Sequence, residues 1–289
     1  VKLKFALREF ALRAGAVVAC VASLGGCANL VGSIAADTLA AAILNEDDPV
    51  LVESGVPAYL LLIDGLISQS PENADLLAAG AKLFALYGSR FTQDPERSAA
   101  LTAKAYDYGA RAACAAYTPA CDWAGLSYDV FVSQLSEFNN KKIDYLYAYA
   151  IGWLAHLEAT SEDWSAVAEL PWVEAALERV LALDETYDNG ALHTYLGIVN
   201  SLRPPALGGR PEVARAHFER AIELSSGRDL SVKVEFARRY ARLVFDQELH
   251  DRLLREVIAA PSEAPGYTLF NTMAKRDAES LLATSPEYF

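Results

Sequence analysis

Few residues in this sequence have side chains able to carry chemistry: four cysteines, four histidines and one run of aromatics. Metal binding needs converging ligands, and zinc motifs place histidines or cysteines a few residues apart. His156, His193, His217 and His250 are dispersed, with no pair at that spacing and no acidic partner placed as in a zinc motif. A G-x-S-x-G nucleophile turn is absent. The Gly pair of "ALGGRP" lacks the Lys-Ser/Thr that a phosphate-cradling loop carries. The expectation is no catalytic residue, no metal and no cofactor, which leaves binding and assembly as function classes.

The aromatic run is more suggestive. "IDYLYAYAIGWLAHLEA", residues 143–159, sets Tyr145, Tyr149 and Trp153 at i, i+4 and i+8, a single stripe on a helix. Such a stripe is either core packing or the wall of a cavity whose aromatic faces hold an apolar guest while hydroxyls orient it. Tyr195, on a later helix, is a further wall candidate.

The cysteines divide by position. Lys2, Lys4, Arg8 and Arg13 precede "AGAVVACVASLGG", an apolar stretch too short to span a bilayer, and together they read as a secretory signal peptide over residues 1–26. It runs into "LGGC", Leu24 to Cys27, which resembles a bacterial lipobox, so Cys27 is the expected lipidation site. Acyl chains such as palmitate contribute about 0.8 kcal/mol per buried methylene, and several together hold a domain to a membrane surface. Ala28 follows the cysteine where an Asp would signal inner-membrane retention, which favours the outer membrane. Cys20 leaves with the signal. In an oxidising compartment Cys114 and Cys121 either pair across "AAYTPA" or stay as two buried thiols.

The elements that must position these residues are helices. Apolar residues make up 53% of the chain, alanine is prominent and β-branched runs are scarce, so an all-α fold is expected. Without residues 1–26 the body has 21 Lys+Arg against 37 Asp+Glu, a net charge of −16, which disfavours nucleic acid and anionic membrane surfaces. A second membrane segment is not expected: the most apolar candidate, "VPAYLLLIDGLI", is short and contains Asp64.

A short lead-in helix over 31–44 ends at the acidic break "NEDDP", giving a lipidated N-terminus and lead-in over 27–50 and an all-helical domain over 51–289. Helices are expected over 51–68, over 73–90 with Leu76, Gly80, Leu83 and Tyr87 on one face, and from Pro95 to 116. "LERVLAL" (177–183), "FERAIEL" (218–224) and "LLREVIA" (253–259) recur at offsets of 41 and 35 residues. A tetratricopeptide repeat is a helix pair of 34 residues, so the second step fits and the first is about seven residues long. The excess lies in "RPPALGG", where Pro204, Pro205, Gly208 and Gly209 make a stiff projecting loop before a helix that opens at Pro211 and buries Ala214, Phe218 and Ala221. This argues for tetratricopeptide-like helical hairpins forming a single α-solenoid domain.

"LPWVEAALERVLALDETYDNGALHTYLG", "RPPALGGRPEVARAHFERAIELSSGRDLSVKVEFARRYA" and "NTMAKRDAESLLATSPEYF" resemble, in order and spacing, the TRAP transporter T-component family, called TatT. The loop joined to "HFERAIELS" and "VKVEFARRYA" is the most specific element. The resemblance implies a periplasmic lipoprotein, all-helical and tetratricopeptide-like, assembled as a homotrimer with a cavity or pore through each subunit. It further implies association with the substrate-binding P component of the transporter and transfer of a hydrophobic small molecule. Only Cys27 carries over as a functional residue. The competing reading is a scaffold lipoprotein for envelope assembly that grips extended peptide segments.

Overall fold

The computed structural model describes Thr38, residues 40–162 and residues 168–289. The expected signal peptide, the lipidation position Cys27 and most of the lead-in helix lie outside the described residues; residues 40–44 are helical. Among the described residues every regular element is a helix: α1 Pro49–Gln69, α2 Ala74–Arg90, α3 Pro95–Ala116, α4 Tyr128–Leu135, α5 Ile143–Ala159, α6 Leu170–Leu183, α7 Ala191–Ser201, α8 Pro211–Leu224, α9 Leu230–Glu235, α10 Gln247–Ala259, α11 Thr268–Ala283 and α12 Ser285–Tyr288.

The helix starts follow from capping. Asp48 accepts hydrogen bonds from the amides of Val50 and Leu51, so the acidic break is the cap of α1. Asn73 caps α2 in the same way, and Asp94 caps α3 with Pro95 at its first position. On α2 the buried face is Leu77, Gly80, Ala81, Phe84 and Tyr87, with Leu76 and Leu83 half-buried at its edge. The face is thus rotated from the expected one, because α2 is packed by both α1 and α3 and buries a wider arc.

α1 covers the expected 51–68 with a few residues more at its ends. Pro57 does not end it: proline lacks the N–H that would reach the carbonyl of Glu53, and that carbonyl accepts the Tyr87 hydroxyl instead, at 3.2 Å. The resulting 21-residue helix, mean hydropathy 1.7, is long and apolar enough to cross a membrane by length and composition. Here it lies on the helical body, burying Val52, Val56, Leu60 and Ile67, while Asp64 pairs with Lys104 and accepts the Tyr108 hydroxyl at 2.7 Å.

α3 and α5 approach each other backbone to backbone. A Cβ on Gly109 would lie 2.7 Å from the Cα of Tyr149, and one on Gly152 would lie 2.7 Å from the carbonyl oxygen of Ala105. Two glycines facing opposite helices let the backbones touch. α2 packs on both helices, and α6 packs on α5. The three repeated heptapeptides end α6, α8 and α10, and each is followed by a packed partner, α7, α9 and α11. The array curls back on itself: Leu269 of α11 belongs to the core shared with α1, α2 and α3, and the amide of Gly266 donates to Asn45 at 2.8 Å.

Replacing Gly109 or Gly152 by alanine adds a methyl where backbone already stands. Each variant is expected to lose about 1–3 kcal/mol of unfolding free energy, read from urea denaturation. Gly65→Ala, where a Cβ meets nothing within 4 Å, is the control and should not lose stability.

Candidate functional site

The backbone contact between α3 and α5 brings the aromatics of both helices into one cluster. Tyr106 of α3 lies 5.9 Å from Tyr149 and 5.4 Å from Trp153, ring centre to ring centre. Trp123, on the short helical segment Thr118–Gly125, lies 5.3 Å from Tyr149, and Phe131 of α4 meets Trp123 edge-on at 5.1 Å. Both indoles are satisfied: Trp153 Nε1 donates to Glu169 and Trp123 Nε1 to Gln134, each at 2.7 Å. Burial pushes the Tyr149 phenol well up, with the neighbouring Tyr106 adding to it.

Cys114 and Cys121 form a disulfide. It pins the Thr118–Gly125 segment to the end of α3 and so holds Trp123 over Tyr149. Beside it a recess of about 160 Å³ is lined by the disulfide, Tyr106, Ala110, Trp123 and Tyr149, with Arg111 at the rim. Its size suits one benzene-sized group. Drug-sized guests need roughly 300–1,000 Å³.

The four expected wall residues are divided among three places. Tyr149 lines the recess, and Trp153 packs behind it without lining it. Tyr145 is on another side of the fold, where its hydroxyl donates to Asp75 at 2.8 Å and that bond raises its pKa to about 12. Tyr195 packs 6.4 Å from Tyr147, a residue the stripe reading passes over because it lies between the positions of an i, i+4, i+8 line. Around Tyr147 is a set of tyrosine–carboxylate pairs: Tyr147 donates to Asp188, and Tyr187 donates to Asp144, which also pairs with Lys82 at 3.2 Å. Burial raises Tyr147, Tyr187 and Tyr195, so these hydroxyls stay protonated donors. Asp188 and Asn189 both take left-handed backbone angles, φ 54° and 53°, in the turn that presents Asp188 to Tyr147. In the sequence this stretch, "DETYDNG", reads as a solvated acidic turn; its Asn-Gly is the signal that it bends sharply.

A third group joins the two halves of the chain. Arg239 bonds Glu158 of α5 at 2.6 Å and Glu235 at 3.3 Å, and Arg238 bonds Asp277 of α11 at 2.7 Å. Arg90 of α2 reaches Glu235 at 3.6 Å. Burial works to raise Glu235, but Arg238, Arg239 and Arg90 outweigh it and hold the carboxyl low. Both arginines lie in a π-helical turn, Phe236–Ala241, which continues α9.

The loop after α7 is a turn closed at its base. Pro205–Leu207 makes one turn, Gly208 has φ 86°, and a Cβ on Gly209 would overlap the Arg203 carbonyl. Pro204 and Pro205 are exposed, and the loop is closed at its base, where Arg210 donates to Asn200 through its amide (2.9 Å) and its Nε (2.8 Å) and pairs with Glu174. The α8 face is Ala214, Phe218 and Ala221, as expected.

Among the described residues no group of three or more His, Cys, Asp or Glu is placed to hold a metal ion. Two histidines far apart in sequence do meet: His193 and His217 face each other Nδ1 to Nδ1 at 2.8 Å. Burial and the neighbouring His193 lower His217 to about 4.

Comparison with known proteins gives a match between residues 45–289 and the family model of the TRAP transporter T-component. An uncharacterized protein of Treponema pallidum (strain Nichols) is 24% identical over 264 residues, covering 84% of this chain and 81% of that protein.

Two measurements check this geometry. The disulfide closes a short loop, so Cys114→Ser with Cys121→Ser should cost about 2.5 kcal/mol in the chain-entropy model, seen as a lower urea midpoint. His217, whose folded pKa lies below its unfolded value, disfavours the folded state as protons are taken up by the unfolded chain. Stability should therefore fall as pH drops from about 6.5 towards about 4. The fall should be shallower in His217→Gln, with Tm measured by calorimetry across that window.

Proposed function

The chain belongs to the TRAP transporter T-component family, and we propose that it is the lipid-anchored accessory component of a tripartite ATP-independent periplasmic uptake system. In this reading Cys27 carries the acyl anchor on the periplasmic side of a bacterial membrane, with the outer membrane favoured. The helical domain docks the substrate-binding P component and works as a homotrimer without bond chemistry. The observation that carries the reading is the family match across residues 45–289, which covers nearly the whole of the chain after the anchor position.

The site refines what such a protein can shelter. The aromatic recess supports a small apolar group and no larger guest, with Tyr149, Tyr106 and Trp123 as its walls and the disulfide as part of its lining. The tyrosine hydroxyls around Tyr147 are already bonded to carboxylates, so recognition there rests on shape and preset donors and acceptors.

The test is native mass spectrometry and titration calorimetry of the Cys27→Ser protein with a substrate-binding P component of a TRAP transporter. A stable complex of the two proteins is expected, with wild-type protein in the membrane fraction and the Cys27→Ser form released from it. Failure to bind any P component, with capture of extended peptides instead, overturns the transport reading in favour of an envelope scaffold.

A further inference from the structure

α1 is apolar on the side that faces away from the protein as well as on the side that faces it. Leu51, Leu61 and Leu62 are 59%, 75% and 56% exposed, with Val50, Tyr59 and Leu66 also open to solvent. Together they leave a patch of roughly 500–600 Å², at the upper end of the range for the largest patch on an ordinary monomer. A helix that is apolar all round needs a cover on both sides.

We propose that the outer face of α1 is the surface through which copies of this chain pack against one another, helix to helix. Three observations select that occupant. The outward positions Leu51, Gly55, Ala58, Leu62, Gly65 and Gln69 alternate steps of four and three, the spacing of a seam between packed helices. Gly55 and Gly65 have open space where a Cβ would stand, so the same helix offers leucine knobs and the gaps that receive them. The patch also approaches the roughly 800 Å² per partner of a standard protein interface.

A bilayer is the alternative cover, and charge argues against it. Helices that lie in a membrane interface carry Lys and Arg on the polar side. Residues 14–81 contain neither, whereas Glu46, Asp47, Asp48, Glu53, Asp64, Glu72 and Asp75 crowd the stretch around α1. An anionic lipid surface repels such a segment.

The proposal concerns the surface and holds for two copies or three, so it can stand or fall apart from the trimeric reading above. The test is particle mass by native mass spectrometry in mild detergent for the parent protein, Leu61→Glu with Leu62→Glu, and Val130→Glu as an exposed control on α4. The parent should contain several copies, the double variant one, and the control as many as the parent. Circular dichroism should show all three equally helical. A monomeric parent, or a double variant that keeps the parent's mass, overturns the proposal. So does a double variant whose only loss is binding of its Cys27→Ser form to phosphatidylethanolamine–phosphatidylglycerol vesicles, since lipid is then the occupant.

Discussion

The contact of α3 and α5 through Gly109 and Gly152 is the constraint from which the rest of the site follows. With no side chain between them the two backbones meet, and every residue beside a glycine is fixed in direction by that meeting. Tyr106 sits one residue from Ala105, whose carbonyl Gly152 touches, and Tyr149 has its own Cα against Gly109. The aromatic cluster is therefore set by backbone geometry, and the rings fill the space beside it. The disulfide then adds Trp123 as a cover, because the segment it pins follows α3 directly. Rings packed at 5.2–5.9 Å around Tyr149 leave only the small recess beside the disulfide.

The second constraint is electrostatic. Arg90, Arg238 and Arg239 face Glu158, Glu235 and Asp277, three cations against three anions drawn from α2, α5, α9, its π turn and α11. Glu235 is buried and the other members are half-buried, so removing an arginine strands the Glu235 charge at a cost larger than the set gains over apolar packing. Such a network therefore specifies which helices meet more than it adds stability. A regular α-helix after Glu235 would distribute Arg238 and Arg239 differently around its axis, and the wider π turn brings both to the network. It is this network, with Leu269 and the Asn45–Gly266 bond, that ties the last hairpin to the first.

Helix positions were legible in the sequence because caps and prolines mark them: Asp94 with Pro95, and Pro211 after the Gly-Gly loop. The bounds 143–159 of α5 are the expected ones, and the three repeated heptapeptides end helices as counted. The residues of the site were less legible, for a physical reason. A periodic stripe reports which side of a helix is apolar, whereas α5 is buried on several sides and uses Tyr147 and Tyr149 in different clusters. The ion network was invisible because its members lie far apart in the chain, as in the contacts Arg239–Glu158 and Arg90–Glu235. The π turn leaves no local signal, and the His193–His217 contact depends on how α7 meets α8. α1 follows the expected 51–68 to within two residues at its start and one at its end, and the Glu53 carbonyl that Pro57 leaves without a helical donor takes the Tyr87 hydroxyl, far away in the chain.

The polar groups of the inner clusters are closed on one another. A general acid or base must hold a proton near neutral pH and be free to move it. Here Tyr147 and Tyr187 are pushed up by burial and Tyr145 by its bond to Asp75, and each donates to a carboxylate, so each pair is closed on itself: Tyr147 with Asp188, Tyr187 with Asp144, Tyr145 with Asp75. His217 lies the other way, neutral down to about 4 and turned towards His193. Lys104 and Asp64 neutralise one another beside α1, and the arginines are committed to the network. Groups that are mutually satisfied hold the helices around them in one arrangement. The long loop after α7 obeys the same logic. Asn200 and Arg210 close its base against Glu174, so the exposed turn from Pro204 to Gly209 is presented in one conformation without borrowing any residue from the aromatic recess.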